Sequence, residues 1–352
     1  MKKLLATLCI ISLSTTILNG CSTSPNISSS ETSTEAIEVP ESEEITTSEE
    51  ITLVNIATLS GPTCMGLVSF MDEVDNDLVE QLDYDFSILT AADEISTGMV
   101  KGTYDFATVP ANLASVLFNN TNGQVQVLGI NTLGVLYIVE TGTEINSISD
   151  LEGKTIYASG KGTTPEFALN YILSENELVI GEDVFIEWKS EQAECLAAIA
   201  ADDEAIAMLP QPFATSAQIQ NESIRIALDL TAEWDNVQAS EETPSMLVTG
   251  VVIGRTEFIE NNPEVVADFL DRYDTSVSFV NQNNDEAAAL VGYYGIVTEA
   301  IAQSALPACN IVFIQGEEMK TALTGYLGVL FDADATSIGS ALPTDDFYYI
   351  SE

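Results

Sequence analysis

The chain has 352 residues and a formal net charge of −45, from 55 acidic and only 10 basic side chains, and it has no histidine. That balance argues against nucleic acid or an anionic membrane face as a partner. The missing histidine removes Ser-His-Asp and Cys-His catalysis, histidine metal sites and histidine general bases together.

Residues 1–20 read as a bacterial export signal, with Lys2 and Lys3 ahead of a short apolar stretch from Leu4 to Leu18. Leu18-Asn19-Gly20-Cys21 then has the form of a lipobox, which makes Cys21 the residue to be acylated. The apolar stretch is short for a membrane span. Residues 21–50 are rich in Ser, Thr and Glu and hold no Lys, Arg or aromatic residue, so they cannot bury enough apolar surface to fold. As a flexible tether they would hold a folded body roughly 30 Å from the membrane on average. The expectation is a lipid-anchored protein on the extracellular face of the cell membrane.

Ile51 to Leu59 predicts the first strand, ending in Ser60-Gly61-Pro62-Thr63-Cys64-Met65-Gly66, and an apolar helix follows through Val74. Tyr84 to Ala91 predicts a second strand, with Asp93 as N-cap of a short helix. Asp105 to Val109 predicts a third that stops at Pro110, then a helix from Ala111 to Phe118 and a fourth strand from Val125 to Ile130. The second half repeats the order with strands at Lys154–Ala158, Val184–Trp188 and Ala205–Leu209, the last stopping at Pro210 ahead of a helix from Phe213. YDFATVPANLASVL from Tyr104 and EAIAMLPQPFATSA from Glu204 are one phrase written twice.

This pattern predicts an α/β protein of two doubly wound βα lobes. Leu133–Val139 and Met246–Ile253 are extended crossings that form a hinge between them. The expected first lobe comprises residues 51–137 and 252–352, and the second residues 138–251. Helices are expected at Pro263–Phe279, Glu286–Tyr294 and Met319–Leu330, with a strand at Ile311–Ile314.

The segment KTIYASGKGTTPEFALNYIL, from Lys154 to Leu173, carries the strongest local signal. A buried strand is broken by Ser159-Gly160-Lys161-Gly162, and Thr163-Thr164-Pro165 opens a helix. Such a turn aims backbone N–H groups and the positive end of a helix dipole at one spot. It reads equally as a ligand loop or as an ordinary βα turn.

Other chemistries fit poorly. Gly160-Lys161-Gly162-Thr163-Thr164-Pro165 begins like the dinucleotide fingerprint GxGxxG but has Pro at its third position. Apart from Cys21, the cysteines of the exported chain are Cys64, Cys195 and Cys309; three cannot all pair, and none has zinc-ligand spacing. No metal, cofactor or catalytic group is expected, and binding outweighs catalysis; a carboxylate-based hydrolase is the remaining enzyme class.

The lipobox, acidic tether and two βα lobes with a doubled hinge resemble the substrate-binding subunit of an ABC importer. The resemblance is to the type II periplasmic-binding-protein group that contains taurine, alkanesulfonate and nitrate binders and binders of the thiamine pyrimidine precursor. It is carried by Asp150-Leu151-Glu152-Gly153-Lys154-Thr155 through Gly162-Thr163-Thr164, by the strand-Pro phrases at Pro110 and Pro210, and by ENNPEVVADFL from Glu260. An enzyme on this fold, a pyrimidine synthase that consumes its own histidine, is excluded here by the absence of that residue. The resemblance implies a monomer that delivers a small ligand to an ABC permease and ATPase. It also implies a site between the lobes, touched by Thr63, Cys64, Met65, Asp93, Pro110, Asn112, Asn131 and Thr132 from the first. From the second come Gly160, Lys161, Gly162, Thr163, Thr164, Pro210 and Gln211. Trp188 and Trp234 either stack on a planar ligand ring or pack. The ligand reads as a small nitrogen compound such as a pyrimidine precursor, or alternatively as a sulfonate- or nitrate-type oxyanion.

Overall fold

The computed structural model describes residues 52–79, 82–202, 205–239 and 244–351, so the expected signal, Cys21 and tether lie outside the described residues. The chain runs β1 (Thr52–Leu59), α1 (Pro62–Met65), α2 (Val68–Asp75), β2 (Leu82–Leu89), α3 (Ala92–Lys101), β3 (Phe106–Pro110), α4 (Ala111–Thr121) and β4 (Val125–Leu133). A second group follows: β5 (Leu136–Glu140), β6 (Thr155–Ser159), α5 (Thr164–Glu175), β7 (Phe185–Lys189), α6 (Gln192–Ala201), β8 (Ile206–Pro210), α7 (Phe213–Gln220), β9 (Arg225–Asp229) and α8 (Leu230–Gln238). The chain then continues through β10 (Val248–Arg255), α9 (Thr256–Asn261), α10 (Pro263–Gln282), α11 (Asn284–Tyr293), α12 (Glu299–Ala305), β11 (Ile311–Ile314) and α13 (Gly316–Ala333).

The strands form two sheets, ordered β11-β4-β10-β3-β1-β2 and β7-β6-β8-β5-β9. In the first, β1 is parallel to β2 and β3, while β10 runs antiparallel between β3 and β4. In the second, β6 is parallel to β7 and β8, while β5 runs antiparallel between β8 and β9. The second sheet therefore contains one reversed strand, β5, and the first contains two, β10 and the edge strand β11; β5 and β10 are each reached by a crossing from the other half. The repeated phrase falls on β3 and β8 at matching places, each ending in its proline.

The expected crossings shift with this topology. β4 runs on to Leu133, and β5 begins at Leu136 wholly within the second sheet, so the outward crossing is Gly134–Val135 rather than residue 138. β10 lies wholly in the first sheet, so the return precedes Val248 rather than residue 252. An unbroken apolar run carries no mark of where one sheet ends and the next begins. β9 and α8, which complete the second sheet, were not expected. Their residues are only partly apolar, and strand β9 is largely half-buried.

The core of the first half is aromatic. Phe106 stacks on Phe269 with ring centroids 4.2 Å apart, and Phe70 meets Tyr84 and Phe86 edge-on. Full burial of each such ring contributes about 1.5–3 kcal/mol. Trp234 is fully buried between Tyr171 and Tyr326, and its indole N–H donates to the Ser245 backbone oxygen at 3.2 Å. It is a packing residue. Among the described residues no helix is long and apolar enough to cross a membrane.

Candidate ligand-binding site

The sheet register defines where the loops meet. Pro110 and Thr132 both lie opposite Gly250, so the ends of β3 and β4 stand at one level of the first sheet. Two residues beyond β4 the chain enters β5, where Leu136 pairs with Pro210 at the end of β8. The C-terminal strand ends of the two sheets therefore converge on the Gly134–Val135 crossing, where open α/β sheets bind ligands.

On the first sheet the expected contacts form a buried polar network. Thr58 and Thr108 share a hydrogen bond of 2.7 Å between their hydroxyls. Thr63 donates to the Leu59 carbonyl at 2.8 Å. Asn131 Nδ2 donates to the Thr63 carbonyl at 3.1 Å and to Tyr273 Oη at 3.0 Å, and Thr132 Oγ1 donates to Asn131 Oδ1 at 3.1 Å. Gly250 permits this: a Cβ there would stand 2.4 Å from Thr63 Cγ2 and 2.5 Å from Asn131 Oδ1. Cys64 and Met65 are fully buried beneath the network. Burial pushes the Cys64 thiol up to about 12, against a small opposing effect of its hydrogen bond with Thr58. Burial likewise raises the Tyr273 phenol, so it stays a neutral hydrogen-bonding group.

Other expected residues of the first half stand apart. Asp93 is exposed in the first turn of α3 and does not cap it; Ala91 occupies the N-cap position. Its carboxylate complements the helix dipole from within the turn. Asn112 is half-buried and donates to the Ser337 carbonyl at 3.2 Å. Pro110 is half-buried at the strand end.

On the second sheet, the loop after β6 has the expected shape. Gly160 and Gly162 adopt positive φ angles of 84° and 78°, which few side chains tolerate. Thr163 takes the N-cap position of α5, but its hydroxyl donates to the Gly160 carbonyl at 2.6 Å instead of capping the helix. The Gly162 N–H donates to the Glu166 carboxylate at 2.6 Å. The turn ahead of the helix thus already faces a charge from the helix's own first turn. Thr164 is buried and accepts from Tyr326 Oη at 3.1 Å. Gln211 is buried too, and its Oε1 accepts from the Thr215 backbone N–H and hydroxyl at 3.3 Å and 2.9 Å.

Charge in the region is sparse. Lys154, Lys189, Arg225, Arg255, Arg272 and Lys320 all stand in ion pairs with carboxylates. Among the described residues Lys161 is in no ion pair, and it is exposed in the loop after β6. Ser190 and Asp229, also at strand ends of the second sheet, carry polar groups that the sequence pattern did not single out. No group of three or more His, Cys, Asp or Glu side chains able to hold a metal is found among the described residues.

Solved structures share this architecture. An ABC transporter from Parabacteroides distasonis superposes with a TM-score of 0.72 at 21% identity, covering 86% of this chain and 100% of that one. The periplasmic aliphatic sulphonate binding protein SsuA from Escherichia coli gives 0.64 at 13% identity, covering 84% and 96%. A ligand-binding component of an ABC-type import system from Staphylococcus aureus gives 0.62 at 11% identity, covering 85% and 97%. No curated protein sequence matches significantly. The periplasmic-binding-protein fold is therefore established by structure. The sequence profile described as "ABC transporter, phosphonate, periplasmic substrate-binding protein" matches residues 65–293, well over half of the chain. This chain belongs to that family of ABC-importer substrate-binding proteins.

Proposed function

We propose that the ligand is a small nitrogen-containing solute, neutral or zwitterionic, held between the strand-end loops of the two sheets and delivered to an ABC permease and ATPase. The observation that carries this reading is the bond from the Gly162 N–H to the Glu166 carboxylate at 2.6 Å. A helix start that would attract an oxyanion already faces a carboxylate, and an anion must displace it against like-charge repulsion. Among the described residues the loops also offer no unpaired cation besides the exposed Lys161, which suits a heterocycle such as a pyrimidine better than an anion. The exposed backbone of Gly162 and Thr163 would supply part of the contact surface. Lipidation of Cys21 would anchor this receptor on the outer face of the membrane.

A second reading is a phosphonate- or sulfonate-type oxyanion. The family match and the exposed Lys161 favour it. A thermal-shift screen separates the two. Pyrimidines, nucleobases and amino acids stand against phosphonates and sulfonates, and a true ligand at a hundredfold excess over Kd stabilises by about 2.7 kcal/mol. A strong shift with a phosphonate or sulfonate alone would replace the first reading by the second.

A further inference from the structure

A cavity lies away from the strand-end loops, between α5 and α8 of the second half and α13 of the C-terminal part. It has a volume of about 650 Å³. Its inner wall is polar but closed to new partners at most points. Gln238 donates to Tyr171 Oη and accepts from the Ser245 backbone N–H and hydroxyl. On the α13 wall, Gly325 packs against Ser245 while Gly328 leaves the space open. A Cβ at Gly328 would meet nothing within 4 Å. One acceptor remains open: Asn170 Oδ1 is buried and has no hydrogen-bond partner. Burying an oxygen without a donor costs about 1–3 kcal/mol. Glu175 of α5 and Asp332 of α13 stand exposed at the rim, and no Lys or Arg lines the cavity.

The buried unpartnered atom and both rim carboxylates accept, so the complementary ligand donates. We propose that this cavity is a second binding site, for a small organic ammonium compound such as an aliphatic diamine. One ammonium donates to Asn170 Oδ1, and Glu175 or Asp332 receives the other. A neutral sugar would leave the two carboxylates unanswered, and an anion would meet them with no counter-charge. Because α5 and α13 belong to different halves of the fold, an occupant touches both.

The test is calorimetric titration of the full chain with 1,4-diaminobutane. Wild type is expected to bind one equivalent, with affinity falling as salt rises. Gly328→Leu fills the cavity at a position with room for it and should abolish that binding. Asp332→Asn, at an exposed rim position where folding is not in question, should weaken it about tenfold. Neither change touches the strand-end loops, so binding of any solute there should be unaffected. No saturable binding by wild type, or equal binding by wild type and Gly328→Leu, would overturn the proposal, the second result marking non-specific attraction to an acidic surface.

Discussion

Tyr326 donates its phenolic hydrogen to Thr164 Oγ1 at 3.1 Å, and both residues are buried. This bond ties α13, which packs on β4, β10 and α4, to the first turn of the helix after β6. Its partner contact is Tyr137 Oη, which donates to the Ala308 carbonyl at 2.8 Å. Together they join the two halves outside the crossings. Burial raises the Tyr326 phenol, so it remains a donor throughout the physiological range.

Tyr326→Phe should therefore lower unfolding stability by about 0.5–1.5 kcal/mol, the net worth of a buried hydrogen bond. Thr164→Val should cost a similar amount, and the double variant should cost less than the sum of the two. Urea denaturation of the four proteins measures the coupling. Strict additivity would mean that the bond contributes nothing.

Gly250→Ala places a methyl group against Thr63 and Asn131. The variant should lose about 1–3 kcal/mol, as overpacked sites do. Ligand affinity should fall with it if the loop that Asn131 holds through the Thr63 carbonyl contacts the ligand. Denaturation and titration on one preparation check both effects, and a full-affinity variant would detach this network from the site.

Cys64, Cys195 and Cys309 are free and buried, and burial pushes their thiols up to about 12, about 11 and about 12. The folded values exceed the ordinary thiol value of 9.0, so the folded state holds these protons more tightly than the unfolded one. Their contribution to stability is complete below about pH 9 and is lost as pH rises toward 12. Unfolding midpoints should fall through that alkaline window. At pH 8 the native thiols should resist iodoacetamide and react fully in denaturant; rapid native labelling would contradict the burial.

Much of the fold was legible in the sequence because its signals are local. The strand-Pro phrases ending at Pro110 and Pro210 and the Thr163-Thr164-Pro165 helix start depend on neighbours within a few residues. The candidate site was less legible, because the partners of its polar residues come from far along the chain. Asn131 is engaged by Tyr273, Asn112 by Ser337 and Thr164 by Tyr326. Residue type and position before a helix predicted free hydroxyls and amides; tertiary partners occupy them. The capture of the Gly162 N–H by Glu166 was within local reach, since the two are four residues apart. The sequence signal was the acidic residue in the first turn of α5, which an anion site would not favour.

Glu166→Gln removes that charge and leaves a side chain that still accepts from Gly162. Binding of a phosphonate or sulfonate, weak in wild type, should rise about tenfold in this variant. Binding of a neutral heterocycle should change little. Lys161→Ala should likewise leave a neutral ligand almost untouched but cost an anion about tenfold or more. Titrations of both variants against both classes measure this. An anion that binds wild type tightly and ignores Glu166→Gln would show that the carboxylate does not guard the loop.

The most direct measurement is mass spectrometry of the small molecule that protein purified without added ligand retains and releases on denaturation. A single nitrogen-containing solute, neutral or zwitterionic at pH 7, recovered unchanged and rebound by the emptied protein, is the predicted result. A phosphonate or sulfonate recovered in its place, and rebound with loss of affinity in Lys161→Ala, would contradict it.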